Sequence, residues 1–136
     1  MSERLVVHVD GGARGNPGPA AIAAVLADPG GAVLEERGEA IGRTTNNVAE
    51  YRALLLCIER ARALGARELE LVGDSELIAR QVRGEYRVKD PALRELHTQV
   101  AAALEGFDHW TIRNVPREEN ARADRLVNEA LDARIS

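Results

Sequence analysis

The stretch RLVVHVD, residues 4–10, followed by GGARGNPGP, residues 11–19, decides how the rest of the chain is read. Its continuous apolar run fits a strand covered on both faces. The glycines and prolines that follow close the strand with a turn. An acid, Asp10, stands at that junction. AAIAAVLA (20–27) is a second short apolar strand, and Asp28-Pro29-Gly30-Gly31 is a strong turn signal before a third strand over about 32–42. Three strands joined by short loops make an antiparallel meander. The periodicity then changes. Tyr51, Leu54, Leu55, Ile58 and Ala61 recur at helical spacing after a capping Thr45 or Asn46, and Gly65 ends the helix.

Residues 67–73, RELELVG, alternate as a half-buried strand that runs into Asp74 and a helix over about 75–83. Asp90-Pro91 opens another helix, with proline at the first helical position. FDHWTIRNV (107–115) is a last strand, and a helix over about 120–133 closes the chain. The order βββ-α-β-αα-β-α implies a mixed sheet with helices on its faces. Right-handed crossovers would set the later strands parallel to the first. The carboxyl ends of such strands share one edge, where ligands collect in open α/β sheets.

At 136 residues the chain is read as one domain, 1–136, with a single sizeable core. No stretch reaches the roughly 18–20 apolar residues of a membrane helix, and MSERLVVHVD lacks a signal-peptide layout. The lone Cys57 excludes an internal disulfide and a cysteine zinc site, and its place on a helix reads as a buried structural thiol. A reduced cytoplasmic setting and a monomer are expected. The net charge of −4 argues against a simple electrostatic nucleic-acid binder. Its distribution is uneven, with Arg80, Arg83, Arg87 and Lys89 in one group and Arg113, Arg117, Arg122 and Arg125 in another. Either group by itself reads as a solvated charged face.

Four acids stand where elements begin or end: Asp10, Glu50 in TTNNVAEY, Asp74 in LELVGDSE and Asp124 in NARADRL. Hard divalent cations take oxygen ligands from a few carboxylates and leave the other positions to water and phosphate. Two such ions about 3.5–4 Å apart would clamp the attacking and leaving oxygens of a phosphodiester. Each acid also has a structural reading. Asp10-Gly11 is a hairpin dipeptide, Asp74 can cap a helix, Glu50 in a first helical turn suits the macrodipole, and Asp124 can pair with an arginine.

The segments DGGARGNPGPAA (10–21), RTTNNVAEYRALL (43–55), LVGDSELIARQV (71–82) and VPREENARADRLVNEAL (115–131) together resemble ribonuclease H type 1 in its compact form. The resemblance implies an α/β ribonuclease H-like fold. Its five-stranded mixed sheet has three antiparallel strands, then two parallel to the first, flanked by helices. It also implies a metal-dependent endoribonuclease that cuts the RNA strand of RNA–DNA hybrids, leaving 5′-phosphate and 3′-hydroxyl ends. Two Mg²⁺ ions would serve, with Mn²⁺ substituting. Asp10 would bridge both metals, Glu50 and Asp74 would hold the one on the leaving-group side, and Asp124 the one beside the attacking water. Asn16, Asn46 and Asn47 match minor-groove contacts, where an amide offers donor and acceptor. Arg43 and Thr45 match phosphate contacts. Gly11 and Gly12 would let backbone approach the ligand. A non-catalytic hybrid-binding module, or a same-fold nuclease for duplex RNA or branched DNA, is the alternative.

The sequence departs from the family pattern in three places. The loop before the last acid carries no histidine, and Arg117 or Glu118 would have to take over there. Only RGEYRVK (83–89) separates the third acid's helix from the next, so the basic insertion of longer members is absent. Glu76 stands where many relatives have a glutamine, and an ionised carboxylate cannot donate to a base edge.

Overall fold

The computed structural model describes residues 3–135. Three strands come first, β1 (Arg4–Ala13), β2 (Gly18–Ala27) and β3 (Val33–Thr44), then helix α1 (Asn46–Ala63). Strand β4 (Glu68–Gly73) leads through α2 (Glu76–Val82) and α3 (Pro91–Leu104) to β5 (His109–Asn114) and α4 (Ala121–Ile135). The sheet order is β3-β2-β1-β4-β5. β1, β2 and β3 pair antiparallel, while β4 pairs parallel with both β1 and β5. This is the mixed sheet expected from the sequence. Among the described residues no helix is long and apolar enough to cross a membrane.

Side-chain alternation along β1 divides the core. Leu5, Val7 and Val9 face α1, where Tyr51, Leu54 and Ile58 meet them together with Leu69, Leu71 and Ile112. Burying side chains of this size stabilises the fold by about 1.5–3 kcal/mol each. On the opposite face Ala21, Ala23 and Val25 of β2 pack against Ala123, Val127 and Leu131 of α4. The alanines of β2 leave room for a helix on both sides. Thr45 caps α1, its hydroxyl accepting from the Val48 amide at 3.3 Å. Gly65, at φ +86°, ends it in the left-handed conformation that glycine adopts without cost. Cys57 is fully buried beneath the sheet, and burial drives its thiol far above the ordinary range.

Two expectations need correction. Gly11 and Gly12 do not belong to the turn: β1 continues past Asp10 to Ala13, and Asp10, Gly11 and Gly12 pair with Ala23, Ile22 and Ala21. The antiparallel partner sustains the extended backbone that the glycines alone would not. Asp10 is therefore inside a strand, and the reading of Asp10-Gly11 as a hairpin dipeptide fails. Glu50 does not occupy the first helical turn. Capping by Thr45 starts α1 at Asn46 and carries Glu50 into the second turn, where the macrodipole gives no reason for an acid.

Candidate active site

β1 and β4 run parallel and in register to His8–Val72. Asp10 and Asp74 therefore leave the sheet at the same edge, from neighbouring strands. Helix α1 then approaches β1 closely: a Cβ on Gly11 would lie 2.4 Å from the Ala49 carbonyl oxygen. That contact brings Glu50, the next residue of α1, down to the same edge. One oxygen from each of Asp10, Glu50 and Asp74 falls within 4.8 Å of the others. The missing side chain at Gly11 thus serves helix packing. At Gly12 the nearest group is the Asn46 side-chain oxygen, 3.5 Å from an ideal Cβ.

Asp124, in the first turn of α4, faces the same cleft of about 490 Å³ but stands outside this triad. Its Oδ1 accepts from Arg117 Nη2 at 3.1 Å. Pairing with an arginine, one of the structural readings of this acid, is thus met in the structure. Arg117 belongs to a 3₁₀ turn over Arg117–Asn120 and is largely exposed. Glu118, in the same turn, is exposed to solvent.

Burial and mutual repulsion set the electrostatics. Asp10 is 9% exposed, and its carboxyl is pushed up to about 8. Burial contributes most, followed by the charges of Asp74, Asp124 and Glu50. Glu50 is raised to about 7, again chiefly by burial and then by Asp74, against a hydrogen bond from Ser75 that lowers it. Burial also raises Asp74 above the usual carboxylate range. Repulsion links Asp10 and Asp74 to each other and to both remaining acids, and Asp10 is the more deeply buried of the two.

This arrangement predicts an inverted pH dependence for the metal-free protein. A carboxyl raised in the fold favours folding below its unfolded value and loses that contribution as pH rises through the folded one. The windows run from 3.8 to about 8 for Asp10 and from 4.5 to about 7 for Glu50. With chelator present, the melting temperature should fall by on the order of 10 °C between about pH 5 and 8. Saturating Mg²⁺ should flatten that fall, because the ion replaces the proton as the partner of the cluster. Melts of the chelated protein that are level across this range would refute the mutual repulsion.

Of the other expected contacts, Asn46 lines the cleft and Asn16 adjoins it. The Asn46 amide donates to Asn16 Oδ1 at 3.1 Å, and Asn46 Oδ1 accepts from the Ala13 amide at 3.3 Å. Arg43 reaches the Pro17 carbonyl at 3.4 Å, near the same turn. Thr45, Asn47 and Glu76 do not line the cleft. Glu76 is engaged by Arg80 at 2.9 Å at the start of α2, so its charge is partly neutralised within the chain. Tyr86 is exposed, with Arg80 over its ring at 5.2 Å.

Members of both basic groups are similarly occupied. Arg83 pairs with Glu85, Arg113 with Glu70, and Arg122 with Glu36. Four residues missed in the sequence also matter. Arg14 and Asn128 line the cleft, joined by a 3.3 Å bond, and Ser75 supports Glu50. Asn120 ties the 3₁₀ turn to β1. Asn128 follows Asp124 by one helical turn, a spacing that would have pointed to it.

A family model described as Reverse transcriptase-like matches residues 8–130. Ribonuclease HI of Halobacterium salinarum is 47% identical over 129 residues, covering 95% of this chain and 65% of its own length. A bifunctional protein of Mycobacterium tuberculosis is 46% identical over 96% of this chain but only 36% of its own length. The chain thus spans about two thirds of one relative and about a third of the other. The crystal structure of the Halobacterium RNase H1 superposes with a TM-score of 0.94, covering 96% of this chain and 98% of that one. LC11 RNase H1, crystallised in complex with an RNA/DNA hybrid, is 45% identical with a TM-score of 0.93 and covers 97% of this chain and 99% of its own. Identity at this level over nearly the whole chain, together with the matching fold, places the chain in the ribonuclease H family, type 1.

Proposed function

We propose that this chain is a metal-dependent endoribonuclease that hydrolyses the RNA strand of RNA–DNA hybrids, giving 5′-phosphate and 3′-hydroxyl ends. The observation that carries the reading is the convergence of Asp10, Glu50 and Asp74 within 4.8 Å on one sheet edge, with Asp124 across the same cleft. The hybrid bound to LC11 RNase H1 supports the substrate. Residues 1–136 would act as one catalytic domain, as a monomer in the cytoplasm.

The donor set fits Mg²⁺, with Mn²⁺ as a substitute. Asp10, Glu50 and Asp74 would hold such an ion through hard carboxylate oxygens that already lie within 4.8 Å of one another. Carboxylates suit hard cations and do not hold them as soft ligands would. Two ions bound here would supply the positive charge that activates the attacking water and stabilises the leaving oxygen. Asp10, the most buried of the four acids, would help to hold both. Glu50 and Asp74 would hold one ion, with Ser75 orienting Glu50. Asp124 would hold the other.

The chain's other residues position the substrate. Asn16 and Asn46, fixed to each other across the cleft rim, present amide groups suited to ribose and base edges of a minor groove. Gly12, Arg43, Thr45, Asn47 and Glu76 would extend this surface, with Thr45 also serving as a helix cap. Arg117 guards Asp124 and would turn to a phosphate oxygen once a cation takes its place there; Glu118 would act at the solvent side of the same turn.

The test is cleavage of matched hybrid, duplex RNA, branched DNA and duplex DNA with Mg²⁺ or Mn²⁺. Endonucleolytic cleavage of the hybrid's RNA strand alone, lost on chelation, is expected. Tight hybrid binding without cleavage would leave a binding module, and faster cutting of duplex RNA or branched DNA would reassign the substrate.

A further inference from the structure

Asn120 is almost completely buried, and both ends of its amide are spent on β1. Its Nδ2 donates to the Val9 carbonyl at 2.9 Å, and its Oδ1 stands 3.0 Å from His8 Nδ1. The bond to a carbonyl fixes which end of the amide is nitrogen. The oxygen therefore faces His8, and the imidazole must donate from Nδ1. The β1–β4 ladder ends at His8–Val72, and at Val9 the donor is no longer a strand but this side chain.

The placement relates directly to the acids. His8 and Val9 immediately precede Asp10 on β1, while Asn120 lies four residues, about one helical turn, before Asp124. A second tie holds the other end of the segment, where the Val115 amide donates to the Gly73 carbonyl at 2.8 Å, directly before Asp74. The turn that carries Arg117 is thus pinned at both ends to the strands bearing Asp10 and Asp74.

We propose that Asn120 and His8 are positioning residues of the metal centre: their amide–imidazole pair locks the start of α4 onto β1 and holds Asp124 beside Asp10. The inference rests on the reading of the cleft as a metal-dependent nuclease centre and deepens it. An asparagine is required at 120, since aspartate cannot donate to Val9 and alanine leaves a buried carbonyl without a donor. Groups that orient ligands without touching the metal typically matter by about 10–100-fold in metal affinity or activity.

The experiment compares wild type, Asn120→Ala, Asn120→Asp, His8→Phe and Asp124→Asn. For each, kcat and KM on hybrid, the Mg²⁺ concentration for half-maximal activity, and the melting shift on adding Mg²⁺ are measured. For Asn120→Ala, kcat should fall by about 10–100-fold and the Mg²⁺ midpoint should rise about tenfold. KM should change by less than about threefold, since the hybrid's contacts are elsewhere. The Mg²⁺-induced melting shift should shrink. Combined with Asp124→Asn, Asn120→Ala should add almost nothing, because both act on one carboxylate. His8→Phe keeps the Val9 bond and should show the same pattern in weaker form; it decides the matter if Asn120→Ala fails to fold. Folded variants with unchanged kcat, Mg²⁺ midpoint and melting shift, or losses fully additive with Asp124→Asn, would overturn the proposal. If wild type itself cleaves no hybrid, the functional reading fails, while the melting shifts still report on the positioning.

Discussion

Replacing Asp10 by asparagine is expected to reduce kcat by at least about a thousandfold while the metal-free protein melts higher than wild type. The two effects share one cause. Asp10 is the most buried of the four acids, raised to about 8 by desolvation and by the charges of Asp74, Asp124 and Glu50. An amide of the same shape removes that repulsion, so the chelated fold gains stability near neutral pH. On the proposed reading it also removes an anionic oxygen that would hold a divalent ion, so Mg²⁺ should no longer raise the melting temperature appreciably. For wild type, a ligand at a hundred times its dissociation constant contributes about 2.7 kcal/mol, or roughly 10 °C for a domain of this size. Paired melts with chelator and with Mg²⁺, alongside a hybrid cleavage assay, measure both halves. Near wild-type turnover in Asp10→Asn would remove the metal assignment, and a lower melting point in chelator would contradict the electrostatics.

Gly11→Ala should be a severely damaging small substitution, and one that acts directly on the acid cluster. The added methyl would lie 2.4 Å from the Ala49 oxygen and 2.8 Å from the Glu50 nitrogen, both backbone atoms of α1. No side chain can rotate away, so β1 and α1 must separate. Overpacking of this kind costs about 1–3 kcal/mol, and a backbone clash belongs at or above the top of that range. The melting temperature should fall by about 10 °C or more. Cleavage should fall further than stability accounts for, because the contact is also what delivers Glu50 to Asp10. Gly12→Ala is the control, since its methyl meets only the Asn46 side chain at 3.5 Å. It should stay within about 1 kcal/mol of wild type. Equal effects at the two glycines would show that close helix approach is not what Gly11 provides.

Much of this was legible from residue order. The apolar runs of β1 and β2, the helical spacing from Tyr51 to Ala61 and the Asp90-Pro91 helix start each emerged as expected, because every one is a local pattern. The acids could be singled out because each sits beside a strong local boundary signal. The Gly11-Gly12 pair misled for the same reason. Its composition favours a turn, yet β2 lies alongside and keeps it extended. The basic groups read as solvated charged faces, but the acids that pair with Arg113 and Arg122, Glu70 and Glu36, lie too far along the chain to be assigned from it.

Residue order was enough for the types and succession of the elements, the mixed sheet and for singling out four acids that line one cleft. These rest on spacings of two to four residues and on chain connectivity, which are written locally. It could not show that three acids form a tight group while Asp124 stands outside it, paired with Arg117, nor that a helix backbone packs against Gly11. Nor could it show that Asn120, 111 residues from Val9, clamps α4 to β1. Those facts depend on how closely separate elements approach, and that is decided by packing and by the pairing of buried polar groups across the whole fold.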